Sequence, residues 1–217
     1  MLVNIQHRIR QFLIIALMLL WGAGVTGNEV SSPAAELASL LENIETFSAD
    51  FRQTSFDGAG GFVQEVQGSM MVQRPGKLYW HSAVPFEQLL VSDGYQLSVY
   101  DPDLEQVIVQ KLDLRLSQTP ILLLSGEIES LEAAFEIRFR PSEPGERLFE
   151  LTPLQSDSLF EQLMLYFAGH DLTQMDLTDS LGQRSRMTFQ NIEINLEIKP
   201  ERFIFEPPPG VDILRDQ

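Results

Sequence analysis

Residues 62–112 read FVQEVQGSMMVQRPGKLYWHSAVPFEQLLVSDGYQLSVYDPDLEQVIVQKL. Short apolar and aromatic runs alternate here with turn-forming residues, which is the pattern of consecutive antiparallel strands. Asp93-Gly94 is a strong hairpin signal, and Gly68 within an apolar run indicates a bulge or bend. We predict five strands in this segment: Phe62–Gln73, Lys77–Ser82, Gln88–Ser92, Tyr95–Tyr100 and Glu105–Leu112.

The same pattern continues on both sides of this segment. Upstream, Phe47, Ala49 and Phe51 alternate with polar residues before a glycine-rich turn at 56–61. Downstream we predict five more strands: Phe135–Arg140, Arg147–Pro153, Phe160–Ala168, Asp171–Thr178 and Arg184–Ile198, the last with alternating Ile192, Ile194, Leu196 and Ile198. About ten or eleven strands at this spacing indicate a mainly β (α+β) fold with one large curved sheet or barrel. We expect the ordered part to end in the tail at 203–210.

A helix is predicted before the first strand. Ser32 suits the N-cap and Pro33 the first helical position. An apolar stripe follows at helical spacing, formed by Leu37, Leu40, Leu41 and Ile44. A stripe on one side of a helix needs an apolar partner, so this helix is expected to lie on the sheet.

A second apolar run, Ile121–Leu124, follows Thr119-Pro120 and precedes Gly126. It is either a buried strand or a short helix, and the flanking proline and glycine favour the helix. Another short helical turn is predicted within 128–134. From the pattern alone, these helices are best explained as completing the core; a lid over a ligand cavity is the alternative.

The N-terminus has the plan of a signal peptide. Arg8 and Arg10 precede a run of ten apolar residues at 12–21, and small residues follow at 22–27. Such a run falls short of the roughly 20 residues that span a bilayer. We therefore predict a signal peptide over residues 1–27, cleaved after Gly27, and a single exported domain over 28–217.

Composition limits the function classes. The chain has 15 Lys and Arg against 31 Asp and Glu, a formal net charge of −16, and no Cys. Disulfides and thiolate chemistry are excluded. Nucleic acids and anionic membrane surfaces are poor partners for so acidic a protein.

Catalytic and metal motifs are also missing. After the predicted cleavage site only His81 and His170 remain, and neither a phosphate loop nor a Gly-x-Ser-x-Gly elbow occurs. Asp101, Asp103 and Glu105 resemble the start of a calcium loop, but Gln106 stands where that loop needs glycine. We expect no enzyme activity, no cofactor and no metal.

Several motifs carry a family resemblance: Phe47-Ser-Ala-Asp-Phe-Arg-Gln53, Val66-Gln-Gly68, Arg74-Pro-Gly-Lys-Leu-Tyr-Trp-His81, Val91-Ser-Asp-Gly94 and Phe203-x-Phe-x-Pro-Pro-x-Gly210. In order and spacing they strongly resemble the LolA family of periplasmic outer-membrane lipoprotein carriers. The resemblance implies an open antiparallel β half-barrel, with a lid of two or three α-helices over an apolar cavity for acyl chains.

The resemblance also implies partners. Carriers of this family accept lipoproteins from the inner-membrane ABC transporter LolCDE and deliver them to the outer-membrane receptor LolB. We therefore expect a monomer in the periplasm of a Gram-negative bacterium, without nucleic-acid binding or stable membrane insertion. The alternative is an exported lipid-sensing or regulatory module of the same fold, as in the RseB-type domain.

Site residues follow from the same resemblance. Arg74 matches the arginine that bonds to the lid and holds it shut, and Trp80 matches a tryptophan on the cavity side. We expect the other residues of the cavity and lid to be Leu37, Leu40, Leu41, Ile44, Leu78, Leu90, Ile121, Leu122 and Leu124.

Overall fold

A computed structural model describes residues 31–112, 123–124, 131–156 and 158–215. The predicted signal peptide, Ile121 and Leu122 lie outside these residues. The described ranges fall in one compact unit, Ser31–Gln217. They contain two α-helices, α1 (Pro33–Glu42) and α2 (Leu131–Ala134), and a 3₁₀ turn at Pro200–Phe203.

Every strand of the described residues belongs to one twelve-stranded sheet. The strands are β1 (Thr46–Phe56), β2 (Phe62–Gln73), β3 (Lys77–Val84), β4 (Gln88–Asp93), β5 (Gln96–Asp101), β6 (Gln106–Lys111), β7 (Phe135–Arg140), β8 (Glu146–Pro153), β9 (Phe160–Ala168), β10 (Asp171–Asp179), β11 (Arg184–Ile194) and β12 (Asp212–Arg215).

The sheet is open rather than closed. Its strand order is β12-β6-β5-β4-β3-β2-β1-β11-β10-β9-β8-β7, so β12 and β7 are the two edges. Neighbouring strands are antiparallel, except that β12 runs parallel to β6. The predicted mainly β fold with one open sheet is confirmed, with more strands than the ten or eleven expected.

Helix α1 begins as predicted but ends earlier. The Ser32 hydroxyl accepts a hydrogen bond from the backbone N–H of Ala35 at 3.1 Å, and Pro33 opens the helix. Leu37, Leu40 and Leu41 form its buried face. The prediction that Ile44 continues this helical face is wrong, because the helix ends at Glu42. Ile44 lies in the connection to β1, where it is 2% exposed.

The core lies between α1 and one face of the sheet. Its members come from α1, α2 and strands on both sides of β1, and the largest fully buried ones include Phe47, Met70, Phe149 and Phe167. At Gly68 a side chain has no room: a Cβ there would lie 1.9 Å from the carbonyl oxygen of His81. The β2–β3 register shifts between Gln67 and Gly68, which confirms the predicted bulge.

The end of β11 departs from the prediction. Strand β11 ends at Ile194, four residues before the predicted Ile198. Asn195 follows with a positive φ of 59°, a backbone conformation that turns the chain out of the ladder. Leu196 is consequently 51% exposed, and the alternation of apolar residues up to Ile198 does not mark a strand.

The expectation that order ends at 203–210 is also wrong. The chain continues past Gly210 into β12, and Phe203 is only 2% exposed. The Phe205 ring lies 5.8 Å from the ring of Tyr100, on the face opposite to the core. The tail therefore covers the outer face of β3–β6 with aromatic side chains.

The two remaining helical predictions fall partly outside the described residues. Of the 121–124 run, Leu123 and Leu124 are described, and they lie in a helical turn. Of 128–134, the structure describes Leu131–Ala134, which is helix α2. In the described part of the chain, no helix is long and apolar enough to cross a membrane.

Candidate functional site

The face of the sheet that carries α1 continues as an apolar surface beyond it. Register pairs align Met70, Trp80, Leu90, Val99, Ile108 and Leu214 across six neighbouring strands from β2 to β12. We call these residues the apolar row. Met70 is fully buried, Ile108 is 38% exposed and Leu214 is 50% exposed. The row thus leads from the core to the solvent at the β12 edge.

Trp80 stands where the core gives way to this row. Its ring centroid is 4.0 Å from that of Phe51 at an interplanar angle of 31°. It is half-buried and packs against the core cluster. One face of the indole is therefore supported by Phe51, while the ring keeps contact with solvent.

Most of the predicted cavity residues are brought together. One buried cluster holds Leu37, Leu40, Leu41, Ile44, Leu78 and Leu124. Leu90 is half-buried and pairs with Trp80 across β3 and β4. The sequence reasoning missed Leu123, which is 2% exposed, although it lies in the same run of four apolar residues. It also missed Met70 and Val99. The available signal for Val99 was its alternation with Leu97, whereas Met70 lies in an unbroken apolar run.

Arg74 lies in the turn between β2 and β3 and reaches three backbone carbonyls. Its Nε donates to the Ile44 oxygen at 2.8 Å. Its Nη2 donates to the oxygens of Leu41 and Leu123, each at 3.2 Å. One side chain thus joins the end of α1, the α1–β1 connection and the 123–124 segment. We call this arrangement the Arg74 clasp.

The charge of Arg74 suits this position. Carbonyls at a helix C-terminus carry partial negative charge, and the last turn of α1 has no basic residue of its own. Burial lowers the pKa of the Arg74 guanidinium, and the nearby Glu42 carboxylate opposes that shift. Arginine still stays protonated at neutral pH, because its ordinary pKa is so high.

Two further contacts hold α1 against the sheet. The Asn195 Oδ1 accepts from the Glu45 N–H at 2.8 Å, and its Nδ2 donates to the Asn43 oxygen at 2.7 Å. At the other end of the helix, Glu36 pairs with Arg147 of β8 at 3.3 Å. The helix is therefore fastened by polar contacts at both ends and by apolar packing between them.

The opposite face of the sheet is polar where the tail does not cover it. A pocket of about 450 Å³ opens there, with Glu150, Asp176 and Arg186 in its lining. Arg186 donates to both Asp176 oxygens, and this pairing raises the pKa of Arg186. Burial and the Asp176 charge raise the pKa of Tyr166 beside it. Such a lining suits polar groups rather than acyl chains.

Metal ligation finds no support in the described residues, where no group of three His, Cys, Asp or Glu is placed to hold an ion. Asp101 instead serves the β5–β6 turn, because its Oδ1 accepts from the Leu104 N–H at 3.1 Å.

Comparison with known proteins identifies the family of this chain. The model of the family described as outer membrane lipoprotein carrier protein LolA matches residues 42–206. The chain belongs to the LolA family. It is 43% identical to the outer-membrane lipoprotein carrier protein of Chromohalobacter salexigens, over 88% of this chain and 91% of that one. It is 39% identical to the protein of the same name from Pseudomonas aeruginosa, over 96% and 99%.

Solved structures agree on the fold. A LolA-superfamily protein from Nitrosomonas europaea matches with a TM-score of 0.50 at 12% identity, over 81% of this chain and 99% of that chain. At that identity the likeness concerns the fold alone.

Proposed function

We propose that this protein carries lipoproteins through the periplasm of a Gram-negative bacterium. It accepts acylated lipoproteins from a LolCDE-type ABC transporter and delivers them to a LolB-type receptor. It works as a monomer, without catalysis or cofactor, after a signal peptide at 1–27 is removed from the domain at 28–217. The names of its relatives and its membership of the LolA family support this proposal.

The observation that carries the proposal is the apolar row. Acyl chains in water are unstable by about 0.8 kcal/mol for each CH₂ that could be buried. A carrier needs apolar surface that is ordered and still reachable, and the row offers it from Trp80 to Leu214. The leucines of α1 and Leu124 supply a second apolar wall beside the same face.

We assign the Arg74 clasp the role of a latch between the helices and the sheet. When the helices move away from the sheet to admit an acyl chain, the Arg74 guanidinium loses its hydrogen bond to the Leu41 oxygen or to the Leu123 oxygen. Each such bond contributes about 0.5–1.5 kcal/mol net, more where a charge is involved. A latch of this strength holds the empty carrier closed and still opens when apolar cargo supplies a larger gain.

Two matched variants test the proposed acyl site. Leu90→Asp places a carboxylate in the apolar row, while Ile204→Asp makes the same kind of change at a 60% exposed position in the tail. We expect the mature protein and Ile204→Asp to keep a synthetic triacylated lipopeptide in solution as a one-to-one complex. Leu90→Asp is expected to lose most of this capacity, because the acyl chains would desolvate its charge.

Equal complex formation by Leu90→Asp and the unmodified protein would place the acyl site elsewhere. Circular dichroism of each variant, compared with the unmodified protein, shows whether a loss of capacity by Leu90→Asp comes from misfolding.

A further inference from the structure

Exposed apolar side chains gather at one end of the sheet. The antiparallel order places five turns at this end: β1–β2, β3–β4, β5–β6, β8–β9 and β10–β11. Each turn either carries a large exposed apolar residue or is followed by one at the first position of the next strand. These residues are between 59% and 77% exposed: Phe62, which opens β2, and Phe86, Leu104, Leu154, Leu159 and Leu181. We call these residues the apolar tips.

The opposite end of the sheet differs. In the described part of the chain its turns are β2–β3, β4–β5, β7–β8 and β9–β10, and among them Tyr95 is the exposed large apolar residue. Leu196, just after β11 at the same end, is 51% exposed. The apolar tips are therefore a property of one end and not of the turns in general. Large exposed apolar groups that share one end of a soluble protein mark a surface that contacts something.

Aspartates fix three of the five turns that present the tips: β10–β11, β5–β6 and β1–β2. The Asp179 Oδ1 accepts from the N–H groups of Leu181 and Gln183 at 2.8 and 2.9 Å. Asp101 holds Leu104 in the same way, and Asp57 accepts from Ala59 and Gly61. Turns that are already fixed by hydrogen bonds lose less conformational entropy on binding, so they present a preorganised surface.

The tips also lie close enough to act together. Neighbouring strands are about 4.8 Å apart, so successive turns along the sheet are spaced by about 10 Å. The β1–β2 and β10–β11 turns touch: a Cβ on Gly58 would lie 3.1 Å from the Leu181 oxygen.

Charge indicates what kind of surface covers the tips. The five turns contain no Lys or Arg of their own, and they carry Asp57, Glu87, Asp103 and Glu105. Two basic side chains reach the turns from neighbouring strands: the Arg184 Nη2 would lie 3.3 Å from a Cβ on Gly60, and the His81 Nε2 lies 2.9 Å from the Glu87 Oε1. The four carboxylates outnumber these two groups. Carboxylates around apolar tips disfavour an anionic bilayer surface, which they would repel. They fit a protein whose apolar patch is bordered by Lys and Arg, because such a border also steers the encounter.

We infer that this end of the sheet is the docking surface for a protein that exchanges cargo with the carrier, and that this partner presents an apolar patch with a basic border. The inference rests on the proposed carrier function. Phe86, Leu104 and Leu181 are the anchors, since all three are more than two-thirds exposed.

The test compares the mature protein with a triple variant, Phe86→Ser with Leu104→Ser and Leu181→Ser. Tyr95→Ser is the matched control at the opposite end, and Asp103→Lys changes the charge without touching an anchor. The probes are a purified LolB-type receptor and a purified LolCDE-type transporter in detergent. Affinity is measured at low and high salt, and capacity for a triacylated lipopeptide is measured in parallel.

We expect the triple variant to bind at least one of these probes about tenfold more weakly, with unchanged lipopeptide capacity. Tyr95→Ser is expected to match the unmodified protein, and Asp103→Lys to bind more weakly with less dependence on salt. Unchanged affinity of the triple variant for both probes would overturn the inference and leave the carrier function standing.

Two other outcomes also count against the inference. If the unmodified protein holds no lipopeptide, the carrier function fails, and this inference fails with it. If vesicles of phosphatidylethanolamine and phosphatidylglycerol capture the unmodified protein but not the triple variant, a membrane covers the tips instead of a protein.

Discussion

Replacing Arg74 with leucine removes the clasp and leaves the apolar stem of the side chain in place. The hydrogen bonds lost include those to the oxygens of Ile44, Leu41 and Leu123. At roughly 1 kcal/mol each, the closed arrangement of helices and sheet loses about 3 kcal/mol. The Leu41 oxygen still accepts from the Ile44 N–H at 3.0 Å, so α1 itself is expected to persist.

This loss has a specific consequence for cargo. If the empty carrier must open before it binds acyl chains, the free energy needed to break the clasp is subtracted from the free energy of cargo binding. About 3 kcal/mol corresponds to a factor of roughly 100. We therefore expect Arg74→Leu to load lipoprotein at least as well as the unmodified protein, but to pass it on about 100-fold more slowly.

The assay follows a labelled lipoprotein from a preformed carrier complex to a LolB-type receptor. Arg138→Leu is the control, because Arg138 is an exposed arginine that pairs with Glu136 on its own strand. It should transfer cargo like the unmodified protein. Normal transfer by Arg74→Leu would refute the latch role, and failure of that variant to load would show that Arg74 supports binding instead.

Four further outcomes are expected. Asn195→Ala should lower the free energy of unfolding by about 1–3 kcal/mol in urea titrations. The substitution removes two short hydrogen bonds and places alanine at a positive φ. A change below about 0.5 kcal/mol would contradict this. Leu41→Ala should cost about 2–5 kcal/mol in the same titration, since Leu41 is fully buried and its loss leaves a cavity. The chain's two tryptophans are Trp21 and Trp80, so a protein purified without the proposed signal peptide has Trp80 alone. Its fluorescence should shift to the blue when lipopeptide binds, and an unchanged spectrum of a loaded complex would exclude contact with the row. Folding raises the pKa of Tyr166 above its unfolded value of about 10. The stability that this shift contributes is present below about pH 10 and is lost as the pH rises above it. The unmodified protein should therefore lose more stability than Tyr166→Phe between neutral pH and about pH 10.5, and equal losses would refute the assignment.

The strands were predictable where local chemistry sets their ends. Phe62–Gln73, Phe135–Arg140 and Phe160–Ala168 match the prediction residue for residue, because glycine, proline and acidic turn residues flank them. Ile194 was not predictable as the end of β11, since the stop comes from Asn195 bonding to a connection about 150 positions away in sequence. The short strand β12 was missed for a similar reason: it pairs in parallel with β6, a partner that no local pattern reveals.

The candidate site divides in the same way. Leu37, Leu40 and Leu41 could be placed on one face from their spacing alone, whereas Leu90 was named only from the family resemblance. The acceptors of Arg74 could not be predicted, because they are backbone carbonyls, and every residue has one whatever its side chain. The apolar tips were visible only once the topology had brought five separate turns to one end.

The proposed carrier function requires the protein to take lipoproteins from the inner membrane and keep them in solution. Spheroplasts that synthesise a labelled outer-membrane lipoprotein would be incubated with the purified mature protein, and the soluble fraction would be assayed for a complex of the two. We expect stoichiometric release of the lipoprotein in complex with the carrier, and little release with Leu90→Asp. Retention of the lipoprotein in the membrane, in the presence of folded carrier, would contradict the account.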